Sequence, residues 1–107
     1  MTAYLISFPS EAMVLTAEEL PVVGEAARAV VEEAKAAGVY LFAGGINEEV
    51  EPVLVSAGGT ATAEIYPGSR VKGGFTVLEL PSREAALEWA QRFAVACRCA
   101  QELREFA

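Results

Sequence analysis

Glu64, Tyr66, Ser69, Arg70 and Lys72 gather in and beside one turn, Tyr66-Pro67-Gly68-Ser69. A carboxylate withdrawn from water acquires a pKa suited to general-base work, and a phenol or guanidinium stabilises a developing oxyanion. If the turn overhangs a cleft between sheet and helices, these side chains can bind a small anionic or carbonyl ligand. If it does not, they form a solvated polar turn, the usual meaning of exposed charge. Ser7 is a second candidate, expected on the first strand beside Tyr4 and Phe8 and facing a cavity. As a nucleophile it needs a base, and none is in evidence, so a satisfied buried hydroxyl is the plainer reading. Glu11, in the loop that follows, approaches the same cavity mouth unless it is simply a solvated loop carboxylate. Gly73 joins the candidates because Gly73-Gly74, leading into Phe75, leaves room where a side chain is missing.

What is absent bounds the chemistry further. The chain has no histidine, and its fifteen acidic residues are all glutamate. Ser-His-Asp and Cys-His arrangements are excluded within one chain, and so is histidine-ligated metal chemistry. Cys97 and Cys99 form a C-x-C pair; on a strand they share a face, poorly placed for a mutual disulfide. Two thiolates do not complete a metal site, so packing is their default role. Gly44-Gly45, Gly58-Gly59 and Gly73-Gly74 each lack the strand-to-helix setting of a phosphate or dinucleotide loop. Turns, bulges and close backbone approach account for them. No cofactor and no metal are expected, and no catalytic residue is assigned.

The elements that must position these residues follow from patterning. Tyr4 to Phe8 reads as a strand ended by Pro9-Ser10. Thr16-Ala17-Glu18-Glu19 is a capping box, and Leu20, Val23, Ala27, Val30, Val31 and Ala34 recur at helical spacing up to Gly38. Pro21 leaves open whether that helix starts at the box or at the proline. Val39 to Ala43 is a second strand, with a loop from Gly44 to Glu49. Pro52 to Ala57 and Thr60 to Tyr66 flank Gly58-Gly59 as a hairpin. Phe75 to Leu80 is a further strand ended by Pro81. Ser82 caps a second helix running to about Ala94, with Ala86, Leu87, Trp89, Ala90 and Phe93 as its apolar residues. Trp89 and Phe93 read as core at that spacing. The tail from Cys97 to Phe106 can end in a strand.

The order β-α-β, hairpin, β-α-β predicts a single α+β domain spanning residues 1–107: a ferredoxin-like plait, its antiparallel sheet carrying both helices on one face. Tyr4 to Phe8, Val39 to Phe42 and Val53 to Val55 are apolar on both alternating faces, whereas a half-solvated sheet alternates apolar with polar. Something must cover the second face. A second copy of the chain is the simplest cover, because two-fold dimers are the commonest homo-oligomers. The 53% hydrophobic content of 107 residues points the same way. A net charge of −7, with eight basic residues scattered, argues against nucleic acid and against an anionic membrane surface. The opening residues carry no basic region and too short an apolar run for a signal peptide, no stretch is long enough to span a membrane, and two cysteines suit a reducing cytoplasm.

Lys72-Gly73-Gly74-Phe75-Thr76-Val77-Leu78-Glu79-Leu80-Pro81-Ser82, followed by Glu84-Ala85-Ala86-Leu87-Glu88-Trp89-Ala90, resembles the YCII-related family, in particular its DGPF-type branch. The opening strand, Leu15 to Glu19, Ala36 to Val39 and Glu102 to Phe106 fit in the same order, so the resemblance covers nearly the whole chain. It implies a dimeric α+β barrel and says little about activity. Glu64-Ile65-Tyr66-Pro67-Gly68 stands where the DGPF motif is expected, and the histidine and aspartate proposed as catalytic in YCII-type members have no counterpart. Two functions are therefore carried forward. One is a small-molecule-binding homodimer with a pocket at the sheet–helix or dimer boundary, catalysis being the less favoured extension. The other is a non-catalytic dimeric module that docks a partner protein.

Overall fold

The longest apolar runs of the sequence lie side by side at the centre of the sheet. In the computed structural model, which describes residues 1–107, β1 (Thr2–Phe8) and β5 (Gly74–Leu80) pair antiparallel from Thr2 opposite Leu80 to Phe8 opposite Gly74. β6 (Glu102–Glu105) pairs with the free edge of β1, and β2 (Tyr40–Gly45) with the free edge of β5. The strand order is β2-β5-β1-β6, antiparallel throughout. With α1 (Glu19–Ala36) and α2 (Arg83–Cys97) as its only α-helices, the chain is α+β and consistent with a ferredoxin-like plait.

One sheet face makes the core. Tyr4 and Ile6 of β1 and Leu78 and Leu80 of β5 share a face by their two-residue spacing, and they meet Val30 and Ala34 of α1 and Ala86, Trp89, Ala90 and Phe93 of α2. Ile6, Leu78, Leu80 and Val23 are the largest side chains that are fully enclosed.

The helix ends are set by local chemistry. Thr16 N–H donates to Glu19 Oε1 (3.0 Å), and Glu19 N–H donates to Thr16 Oγ1 (3.2 Å), a reciprocal box. Regular α1 starts at Glu19, so Pro21 falls in its first turn, where an N–H has no intrahelical partner to lose. Gly38, at φ +76°, ends the helix. In α2, Ala85 N–H donates to Ser82 Oγ (3.2 Å). This helix runs beyond Ala94 to Cys97, and Arg98 closes it in the left-handed conformation at φ 57°. Cys97 is therefore on the last helical turn with Cys99 just past it, and the two do not share a strand face.

Two other boundaries differ from the pattern-based expectation. Gly44 and Gly45 are strand, opposite Phe75 and Gly74, because the β2–β5 ladder continues through them. A bulge between Tyr40 and Phe42 precedes them. The hairpin strands are short, β3 (Leu54–Val55) and β4 (Ala61–Thr62). Ser56 N–H donates to Thr60 O (2.9 Å) and Gly59 N–H to Ser56 O (2.9 Å), with Gly59 at φ +88°. That is a three-residue loop in which glycine takes the left-handed position.

The opposite sheet face is not covered by either helix; it is apolar at its centre, with Glu79, Glu102 and Arg104 around it. Leu5, Val77, Phe75 and Phe42 share it, and Phe42 is 58% exposed. From Ile46 to Val71 every residue but Leu54 is exposed, including Val50, Val53 and Val55. This stretch forms an arm, and the Cα radius of gyration is 15.5 Å where a compact chain of this length has about 13 Å. No helix is long and apolar enough to cross a membrane.

Candidate functional site

The arm folds back on the body at its C-terminal root, and the fastening is ionic. Glu11 sits on a 3-10 turn, Ser10–Ala12, directly after β1. Arg70 Nη2 reaches Glu11 Oε1 at 2.8 Å and Lys72 Nζ reaches Oε2 at 2.9 Å. The Lys72 hydrogen bond is the largest cause that holds the Glu11 carboxyl down at about 2, with its own backbone N–H and Arg70 adding to it. Ser7 is buried on the outer sheet face beside them, and it borders with Arg70 and Lys72 a depression of about 430 Å³. Sequence reasoning set Ser7 and Glu11 at one cavity and Arg70 and Lys72 at a turn over the cleft between sheet and helices; the structure instead brings Arg70 and Lys72 to Glu11 and beside Ser7.

Glu64 and Tyr66 do not join them. Both are exposed, and neither lines the depression that Ser7, Arg70 and Lys72 border. The physical reason is the turn: Ser69 N–H donates to Tyr66 O (3.1 Å) with Gly68 at φ +81°, the mark of a type II reversal that sends the two flanks in different directions. Nor does the turn overhang the cleft between sheet and helices, since none of its residues lines that cleft. Gly73 leaves no room for a ligand. At φ +91°, a Cβ there would collide with the Phe8 carbonyl oxygen and lie 2.7 Å from the Ser10 nitrogen, so main chain already fills the space.

The cleft itself is built by residues that sequence reasoning did not select. Between α1 and the β2–β5 side of the sheet is a cavity of about 500 Å³, within the range typical of small-molecule sites. Its wall includes Gly24 on α1, Gly44 and Gly45 on β2, and Gly74 on β5, four positions without a side chain. Ile6, Phe8, Val31 and Phe93 supply apolar surface. Four polar side chains punctuate it: Arg28, Tyr40, Thr76 and Gln101. Tyr40 Oη accepts from Ala43 N–H (3.2 Å), which leaves the phenolic proton free to donate elsewhere. Gln101 Nε2 is turned toward the Cys99 carbonyl (3.2 Å). The sequence signal was Gly24 itself, a glycine within an apolar helical stripe where alanine is favoured by about 1 kcal/mol.

Both thiols are held toward the protonated form by their surroundings. Burial first, and the neighbouring Cys99 second, push the Cys97 thiol up to about 11, and burial raises Cys99 as well.

No protein-family model matches this chain, and no curated protein matches it either.

Proposed function

We propose that this chain is a small-molecule-binding protein of the YCII-related kind, working as a homodimer in the cytoplasm, with its ligand in the cleft between α1 and the sheet. The observation that carries the reading is the largely apolar cleft itself, its α1 wall lowered at Gly24, where a side chain would meet nothing nearer than the Arg28 guanidinium at 4.0 Å. The second copy covers the outer sheet face, where Phe42 is 58% exposed beside the half-buried Leu5, Phe75 and Val77 and neither helix reaches. Catalysis is not part of the proposal. Glu11, the carboxylate nearest Ser7 along the chain, is held ionised down to about pH 2 and is a weak base at neutrality.

Native mass spectrometry of gently purified protein tests both parts. The expected spectrum is a dimer with a reproducible small extra mass, and Gly24→Leu, which fills the cleft from a helix surface position, removes the extra mass while leaving the dimer. An adduct that persists unchanged in Gly24→Leu places the ligand elsewhere, and a monomer discards the covered-sheet argument. The exposed apolar residues of the arm favour the second reading, a module that docks a partner protein. It gains if the dimer carries no adduct in either form and the arm is protected by another protein.

A further inference from the structure

We infer that the α1–sheet cleft takes an amphipathic monocarboxylate, its apolar body in the cavity and its carboxylate on Arg28. This rests on the cleft being a ligand site, and it adds the chemical class. The chain carries fifteen glutamates against eight basic residues, so an average patch of its surface is acidic. The cleft departs from that average. None of the nineteen residues lining it is acidic, and one, Arg28, is a cation. The other large depressions each include glutamate: Glu33 and Glu88 between the helices, Glu48 and Glu51 within the arm, Glu102 beside Ser7.

Arg28 is also free to act. Arg70, Lys72, Arg98, Arg104 and Lys35 each have a carboxylate within 4.0 Å, whereas Arg28, Arg83 and Arg92 have none, and of those three only Arg28 lines the cleft. It lies one helical turn beyond Gly24, and its Nη1 is 4.0 Å from where a Gly24 Cβ would stand. The glycine thus provides the shelf on which the guanidinium rests at the cavity wall. Tyr40 adds a hydroxyl that accepts from Ala43 N–H and keeps its own proton to donate.

The count of charges fixes the class. One planar guanidinium pairs fork-to-fork with one carboxylate. A diphosphate or other polyanion needs several cations, and the body's −7 charge opposes its approach. A cationic ligand finds no carboxylate in the wall. A wholly apolar ligand leaves the guanidinium unused but still fits, and the experiment separates that case.

The test compares decanoate with 1-decanol at pH 7 by isothermal titration calorimetry on wild type, Arg28→Gln and Gly24→Leu. The expected result is about tenfold tighter binding of decanoate than decanol, the size of a part-exposed charge-assisted pair. Arg28→Gln brings the two ligands within about twofold of each other and leaves decanol affinity unchanged. Gly24→Leu weakens both. Equal affinity for acid and alcohol in the wild type, or a preference that survives Arg28→Gln, overturns the carboxylate assignment while the cleft stands. Binding of neither ligand, or binding that Gly24→Leu does not weaken, overturns the cleft reading together with it.

Discussion

The sheet-and-helix body and the arm from Ile46 to Val71 draw on the same apolar residue types and use them in opposite ways. In the body, valine, isoleucine, leucine and aromatics alternate with the pleat or recur at helical spacing, and Ile6, Leu78 and Leu80 end up enclosed. In the arm, Val50, Val53, Val55 and Val71 are more than half exposed. The hairpin pairs only two residues on each side, so it has no second layer to bury them against. The difference teaches where each region draws its order from: the body from its own core, the arm from a turn, a three-residue loop and the ion pairs at its root.

Substitutions at matched positions separate these two sources. The largest effect is expected from Leu78→Ala, because that side chain is 0% exposed at the centre of the core. It should lose about 2–5 kcal/mol in urea unfolding followed by Trp89 fluorescence; a loss below about 1 kcal/mol contradicts the core drawn above. Gly73→Ala, at the hinge between the regions, comes next at about 2–3 kcal/mol, combining left-handed strain with collision against the Phe8 carbonyl. Gly38→Ala is its control: φ is also positive, at +76°, but the surrounding space is open, so about 1 kcal/mol is expected. Equal losses at the two glycines would mean that strain alone, and not the close approach, sets the cost.

The pH response of the arm root is smaller and has a definite sign. Glu11 has its carboxyl lowered in the folded state to about 2 from 4.5, so its contribution is complete above pH 4.5 and is lost as pH falls toward 2. The protection of the Ile46 amide, which donates to the Gly73 carbonyl (3.0 Å), measured against its intrinsic exchange rate at each pH, should fall over that window, and Glu11→Gln should remove the pH dependence. Protection that is flat across the window in the wild type would show that the ion pairs do not hold the root. The smallest effect is expected for Val55→Thr, within about 0.5 kcal/mol, since the side chain is 62% exposed. If instead its cost grows with protein concentration, the arm is packing on a second copy.

The same contrast explains what the sequence disclosed. Thr16 with Glu19, Ser82 with Ala85, and Gly38 are read correctly because each depends on residues within one turn of chain. The apolar strands Tyr4 to Phe8 and Phe75 to Leu80 are read correctly because burial enforces their period. The type II turn at Pro67-Gly68 was legible as a turn, but not the direction of its flanks, which is why Glu64 and Tyr66 part from Arg70 and Lys72. A pocket at the sheet–helix boundary was one of the two places expected, but the residues that line it were not legible. Its lining brings Gly24 and Arg28 of α1 together with Tyr40 of β2, Thr76 of β5 and Gln101 from distant points of the chain, and nothing local to any one of them announces the others. Arg28 likewise reads as one more charge on a helix until its place on the cleft wall becomes visible.

The position of Cys97 has a practical consequence. On the final turn of α2, 4% exposed at the floor of the α1–sheet cleft and with its thiol held protonated to about pH 11, it presents little thiolate to a reagent while the domain is intact and the cleft is filled. Cys99, partly exposed two residues later, shares the sequence context but not the enclosure. In a Cys99→Ser chain the rate of alkylation at Cys97 therefore becomes a clock for the opening of the core, one that runs without a denaturant and needs no label placed by design.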